Sequence, residues 1–355
     1  MHRDRKRLTL LLSIVFAFAF QASAQQLSEP ERNFEELWNT FDAKYSHFGI
    51  KNIDWQALYR IYRPRVTSTT TDDELFEVMS SLLGHLNDNH VSLRSRSPSR
   101  RFSAGILQDL KEEDFSLDVV REEYLEGQAV SLHEGVFHYG WLTDGIGYFH
   151  FDGFEDAQAS GAAVDAILKE FRNAKALIVD VRDNGGGEDR VGKAIASRFA
   201  DQKRLYMTVE LRNGPKHDDF AAPVEWFVEP EGPAQFTRPV VLLTHRFSVS
   251  AAENFALAMR TLPHVIQVGE VTSGAFADTA GHTLPNGWRF SASFNLFRDR
   301  DGVCWEGLGI APDYRILNTA ADVAAKRDRV LEFAMALIAS GAGPAPGSRT
   351  QKAQR

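Results

Sequence analysis

The chain has 355 residues, 43% hydrophobic and 25% charged, an ordinary globular composition long enough for two or three domains. Its formal net charge is −8, and −11 once residues 1–24, with four basic side chains and one acidic, are set aside. So acidic a protein argues against nucleic acid as a partner, and the single cysteine, Cys304, excludes an internal disulfide and a cysteine metal cluster.

Arg3, Arg5, Lys6 and Arg7 precede the apolar run Leu8–Phe20, and Ala22-Ser23-Ala24 follows as a small-x-small cleavage site. Residues 1–24 therefore read as a secretory signal peptide. The apolar run is too short to remain as a membrane anchor, and Gln25 stands where a lipoprotein needs cysteine. An exported protein, periplasmic or secreted, with no stable membrane anchor is expected.

Residues 25–95 read as an N-terminal helical domain. Phe34, Leu37, Trp38 and Phe41 keep helical spacing, as do Trp55, Leu58, Tyr59 and Tyr62, and Thr71–Glu74 opens a third helix with an acidic first turn. Residues 96–140 read as a linker with small strands, too short for a full PDZ-type module. From 141 to 318, strands alternate with helices: Ile146–Phe151, Ala157–Phe171, Ala176–Val181, Arg190–Phe199, Leu205–Leu211, then Arg212–Thr237 as a long loop. That order predicts an α/β core with a mixed sheet and ligands at the strand carboxyl ends. A final helix spans Ala320–Ile338 within 319–340, and the Gly/Pro/Ser-rich segment 341–355 reads as a disordered tail. No cofactor or metal is implied.

Two stretches could carry chemistry. Val240–Leu243 is a buried strand that runs through Thr244–Ser248 into a helix starting at Ser250, Ala251, Ala252 and Glu253. Ser250-x-x-Glu253 is a capping box; a serine at such a turn is also where a nucleophile and an oxyanion-binding amide can meet. Ser248 is the second serine of the turn but lacks the helix-start amides. The other stretch, Asp180–Gly187 (DVRDNGGG), follows a buried strand and puts three glycines in a row. It reads either as a turn needing positive φ or as an anion-binding nest, with Gly186 or Gly185 giving one amide and Ala251 the other. It has neither dinucleotide nor P-loop spacing.

Taken in order, DVRDNGGG, FSVSAAENFALAM, VGEVTSG and WEGLGIAPD, with DWQALYRIYRPRV and LNDNHVSL upstream, resemble the family of tail-specific (C-terminal processing) proteases, the tricorn protease core and the interphotoreceptor retinoid-binding protein repeats. The resemblance covers roughly residues 30–95 and 140–318 and implies a crotonase-like ββα core with Ser250 as nucleophile. Tail-specific proteases activate that serine with a lysine just after the VGEVTSG-like segment; here Ala275 follows, and no lysine occurs between Lys216 and Lys326. The resemblance then points to the histidine-using, tricorn-like branch, with His90 as general base and Glu306 as the orienting carboxylate. An imidazole exchanges protons near neutral pH, which suits the role. The tricorn pattern has a serine linking histidine and glutamate; Asn89 is the candidate for that relay here. The expected function is a serine peptidase acting on peptides or unfolded protein ends. A non-catalytic ligand-binding protein on the same fold, or an esterase using the same triad, are the alternatives. The sequence does not specify the oligomeric state.

Overall fold

The computed structural model describes residues 26–96, 99–107 and 113–341; the expected signal peptide and all of the expected tail beyond Gly341 lie outside the described residues. Helices α1 (Glu29–Lys44), α2 (Trp55–Tyr62) and α3 (Asp72–Gly84) make the first layer. Ser28/Glu31 and Thr71/Glu74 form capping boxes at the starts of α1 and α3. Phe34, Leu37, Trp38 and Phe41 bury one face of α1 against Trp55, Leu75, Met79 and Leu82. Each such side chain taken fully from water contributes about 1.5–3 kcal/mol.

Strands β1 (Ser92–Arg94) and β2 (Arg101–Ser103) follow, then a short helical turn, α4 (Leu117–Val119), running into a π-helical stretch at Val120–Tyr124. The α/β part then comprises β3 (Val130–Leu132), β4 (Phe137–Trp141), β5 (Ile146–Phe151), α5 (Ala157–Glu170), β6 (Ala176–Asp180), α6 (Asp189–Ser197), β7 (Arg204–Leu211), β8 (Val224–Val228), β9 (Val240–Thr244), α7 (Ala251–Arg260), β10 (Val265–Gly269), β11 (Thr279–Thr283), β12 (Arg289–Ser293), β13 (Asn295–Asp299), β14 (Tyr314–Arg315), α8 (Ala320–Ala324) and α9 (Arg329–Ser340).

The main sheet has the order β14-β10-β9-β6-β5-β4-β3, parallel from β14 to β5 and antiparallel beyond. Every residue of β5, β6, β9 and β10 is buried because both faces are covered. Leu177, Val179 and Leu242 face the core that holds α5, α6 and α7, whereas Ile178, Val241 and Leu243 pack with Val330, Leu331 and Ala334 of α9. β9 and β6 end side by side, so the turns after Thr244 and Asp180 share one edge of the sheet.

Three sequence readings change. The segment read as the loop Arg212–Thr237 contains β8, in a three-stranded sheet of order β13-β7-β8. The expected final helix is two, because Lys326 takes φ 57° and Asp328 caps a new start. The boundary expected at 95 falls within a four-stranded sheet, β11-β12-β1-β2, in which Ser92 pairs with Ser291. The helical layer and the core are therefore stitched together immediately beside His90.

Candidate active site

The turn after β9 is held from three sides. The Ser248 hydroxyl donates to the Val181 carbonyl at 2.6 Å and accepts the His245 amide at 3.0 Å, and the Val249 amide donates to the Asn184 carbonyl at 3.0 Å. Ser248 is fully buried with its hydroxyl committed, which removes it as a nucleophile. Pinned this way, the chain reaches Ser250 at φ 60°, ψ −120°, outside the regions an L-residue prefers. Such a conformation costs about 1–3 kcal/mol and persists where its surroundings over-determine it; a sharp strand-to-helix turn of this kind presents a serine hydroxyl at the top of a sheet. Ser250 and Glu253 face each other as a capping box, but only half of it reaches hydrogen-bond geometry: the Ser250 amide donates to Glu253 at 3.2 Å, and the serine hydroxyl makes no capping bond. Among the described residues that hydroxyl, and the Ala251 N–H beside it, have no hydrogen-bond partner.

The glycine loop is anchored at its root. Arg182, buried, binds Asp180 and Asp328 at the start of α9, and Tyr148 donates to Asp180 at 2.8 Å. His150, buried on β5, pairs with Asp183, which raises its pKa against the opposing effect of burial. The loop corrects the expectation for its amides. Asn184 folds back so that its Oδ1 accepts the Gly186 N–H at 2.9 Å, and the Gly185 N–H donates to the Asp152 carbonyl at 3.1 Å. Neither is free for an oxyanion. Gly186 serves instead by lying against the serine: at φ 96°, a Cβ there would stand 2.8 Å from the Ser250 Cβ and 2.8 Å from the Val249 carbonyl. Gly187, next in the loop, keeps an N–H without a partner among the described residues.

His90 precedes β1. Its amide donates to Asp88 Oδ1 at 2.8 Å, its carbonyl accepts from Ser291, and its buried Nδ1 has no partner among the described residues. Asn89 does not relay between His90 and Glu306. Its Nδ2 reaches Ser273 Oγ at 3.2 Å and its Oδ1 accepts the Leu107 amide at 3.1 Å, so both ends are committed elsewhere. The residue that meets both is Asp88, 1% exposed, which accepts the His90 amide, has a carboxylate oxygen within 4.8 Å of one of Glu306, accepts Tyr45 Oη at 2.9 Å and lies 3.5 Å from His47 and 3.6 Å from Lys51. Burial alone would push the Asp88 carboxyl up, but His47 and Lys51 hold it well below the usual carboxylate range.

Glu306, 4% exposed, completes this cluster. Its Oε2 accepts the Phe276 amide at 2.9 Å, while Oε1 has no hydrogen-bond partner and lies 3.9 Å from Lys51 Nζ. Burial and the neighbouring Asp88 charge raise its pKa, and His47 and Lys51 oppose the rise. His47, Asp88 and Glu306 bring ligand atoms within 4.8 Å of one another, a set that could hold a divalent cation, but the Lys51 ammonium already supplies the positive charge there. A second such group, Asp114, His245 and Glu270, is bridged by Arg246 to both carboxylates. A cleft of about 1030 Å³ reaches Glu306 and Lys51 from outside, lined also by Asn87 and Cys304; neither Ser250 nor His90 lines it.

One segment ties the two halves together. Thr272 Oγ1 and the Gly274 and Ala275 amides donate to Glu253 at 2.6, 2.7 and 2.8 Å, the Phe276 amide donates to Glu306, and burial raises the Asp278 carboxyl against the opposing effects of Asn295 and His90. Thus Ser250, Gly186 and Ala251 meet at one end and His90 and Glu306 gather round Asp88 at the other. No hydrogen bond joins Ser250 to His90 or His90 to Glu306 among the described residues. Asp88, Lys51 and His47 escaped the sequence reading, although LNDNHVSL and HFGIKNIDW contain them.

The sequence matches the model described as Peptidase family S41 over residues 145–316 and the Tricorn protease C1 domain over 27–84. A solved structure of a candidate peptidase from Parabacteroides merdae ATCC 43184 is 30% identical and superposes over 88% of this chain and 97% of its own, with a TM-score of 0.79. The chain belongs to peptidase family S41. Within it, the carboxy-terminal processing protease CtpA of Bacillus subtilis (strain 168) is 29% identical over 153 residues, 43% of this chain and 30% of the relative, so the match spans under a third of that relative's length. Mature CPAF shares the S41 chain's fold over 89% of this chain and 98% of its own, at 13% identity and a TM-score of 0.67. No described helix of the S41 chain is long and apolar enough to cross a membrane.

Proposed function

We propose that this S41 chain is an exported serine peptidase that hydrolyses peptide bonds in peptides or unfolded protein ends. Ser250 Oγ attacks the scissile carbonyl, and His90 takes its proton and returns it to the leaving amine. Glu306, acting across the Asp88 cluster, stabilises the imidazolium. The Ala251 N–H, with Gly187 as the loop's other free amide, receives the developing oxyanion. The observation that carries the reading is the φ 60°, ψ −120° of Ser250, held at the start of α7 with a free hydroxyl and a free amide beside it. The family relative named as a carboxy-terminal processing protease supports chain ends as the substrate class. Export rests on the basic head, apolar run and Ala22-Ser23-Ala24 of the first 24 residues.

The missing hydrogen bond between Ser250 and His90 favours a second reading, a non-catalytic binding protein on the same fold. Intact-mass analysis with a fluorophosphonate probe, together with cleavage of an unfolded protein, separates the two. The peptidase reading expects one adduct per chain, lost along with cleavage in Ser250→Ala. An unlabelled wild type, or a Ser250→Ala variant that labels equally, overturns it; ester hydrolysis without peptide cleavage would reassign the chemistry to an esterase.

A further inference from the structure

Lys51 lies on the turn between α1 and α2, far in sequence from every residue given a chemical role. Its Nζ donates to the carbonyls of Leu86 and Asn87 at 3.1 and 3.0 Å, and it lies 3.6 Å from Asp88 Oδ2 and 3.9 Å from Glu306 Oε1. Its side chain is 12% exposed and those of the two carboxylates 0% and 1%. Two buried carboxylates in one cluster repel each other and need a cation. The N-terminal layer supplies it as Lys51, 3.6 and 3.9 Å from the two carboxylates.

We propose that Lys51 is a positioning residue: it fastens the Leu86–Asp88 loop that leads into His90 against Glu306 and neutralises that pair of carboxylates. This rests on the peptidase reading for its catalytic consequence, but not for its geometry. Two of its three ammonium hydrogens go to loop carbonyls, so the loop and the cluster are fixed by one group. A lysine held only for surface charge would leave those carbonyls to water. His47 alone cannot replace it, since an imidazole is cationic only when protonated. The groups facing Glu306 are Asp88 and His47 from the helical layer, Lys51 and Tyr45 beside them, Cys304 on its own loop and Glu253 from α7.

The sign of the effect follows from those neighbours. Lys51 opposes the upward push that burial and Asp88 exert on Glu306. Removing the cation leaves Glu306 protonated to a higher pH, so the acidic limb of a pH–rate profile moves up. A residue that mattered only for stability would lower activity alike at every pH.

The test compares wild type, Lys51→Met and Lys51→Arg by peptidase kinetics, pH profile and hydrogen–deuterium exchange. Lys51→Met is expected to lower kcat roughly 10- to 100-fold with KM little changed, and to move the acidic limb upward by about one pH unit. Lys51→Arg, which keeps the charge, is expected to recover most of kcat. Amide exchange over residues 86–91 should be faster in Lys51→Met, a readout that needs no activity. Wild-type exchange there, or kcat lost without any shift of the pH limb, overturns the proposal. Should Lys51→Met not fold, Lys51→Gln decides by the same readouts: faster exchange over residues 86–91 with the acidic limb moved upward supports the assignment, and wild-type values of both refute it. Failure of the peptidase reading appears separately, as wild type without a fluorophosphonate adduct.

Discussion

Glu253 and Glu306 are both buried glutamates bound to the same segment, Thr272–Ala277, and they are furnished in opposite ways. Glu253 is fully buried and its two oxygens receive four donors: Thr272 and Gly274 on one, Ala275 and Ser250 on the other. Glu306 receives amides on one oxygen only, and among the described residues its other oxygen, His47 Nε2 and His90 Nδ1 have no hydrogen-bond partner in this half of the site. The carboxylate beside Ser250, the proposed nucleophile, is thus saturated, and the carboxylate on the side of His90, the proposed base, keeps unused polar capacity. Saturation serves shape, and leftover capacity in a buried cluster is what proton handling needs.

Exchanging each glutamate for its amide breaks the comparison most sharply. Glu306→Gln is expected to lower kcat by about 10²–10⁴-fold, the range for losing the charge behind a catalytic imidazole, with a melting temperature at or above that of wild type. Its carbonyl oxygen can keep the Phe276 amide, its NH₂ can donate to Asp88, and a buried charge is gone. Glu253→Gln is expected to do the reverse in kind, losing about 2–4 kcal/mol of stability in urea titration, because either orientation sets an NH₂ against two donors. If the two variants behaved alike, the division between the halves would be wrong.

A smaller effect comes from Asp189, at the start of α6, which accepts from Asn254 of α7. Burial pushes its carboxyl up to about 7, and Asp278 adds to the rise. A carboxyl whose folded pKa is raised contributes stability that is fully present below its unfolded value near pH 4 and is lost as pH rises through about 7. Asp189→Asn keeps the acceptor and removes the titration. It should therefore exceed wild type at pH 8 by up to about 4 kcal/mol and lose that advantage as pH falls from 7 toward 4 in thermal melts. Parallel curves for the two proteins would show that Asp189 does not titrate in this range.

The saturated half was the legible half. A buried strand, a turn and a helix start are local patterns, so Val240–Glu253 and Asp180–Gly187 could be read from their own letters. What those letters could not show was that Asn184 would capture the Gly186 amide, since a side chain folding back competes with any ligand for the same N–H. The base half was legible only in part. His90 and Glu306 came from a resemblance, and Asn89 was assigned a relay that its bonds to Ser273 and Leu107 preclude. Asp88, Lys51 and His47 converge from separate turns, and nothing in a linear pattern marks that meeting. β8 was missed for a related reason: Val224–Val228 is an edge strand, only Val228 of it is buried, and its alternation is weak.

The central claim is that Ser250 is activated by His90, although the two share no hydrogen bond in the free protein. The most direct measurement is the rate of fluorophosphonate labelling of Ser250 across pH in wild type and His90→Ala. Labelling is expected to rise with pH in wild type and, in the variant, to be slowed by about 10²–10⁴-fold with that rise abolished. Labelling of His90→Ala at the wild-type rate and with the same pH dependence would contradict it.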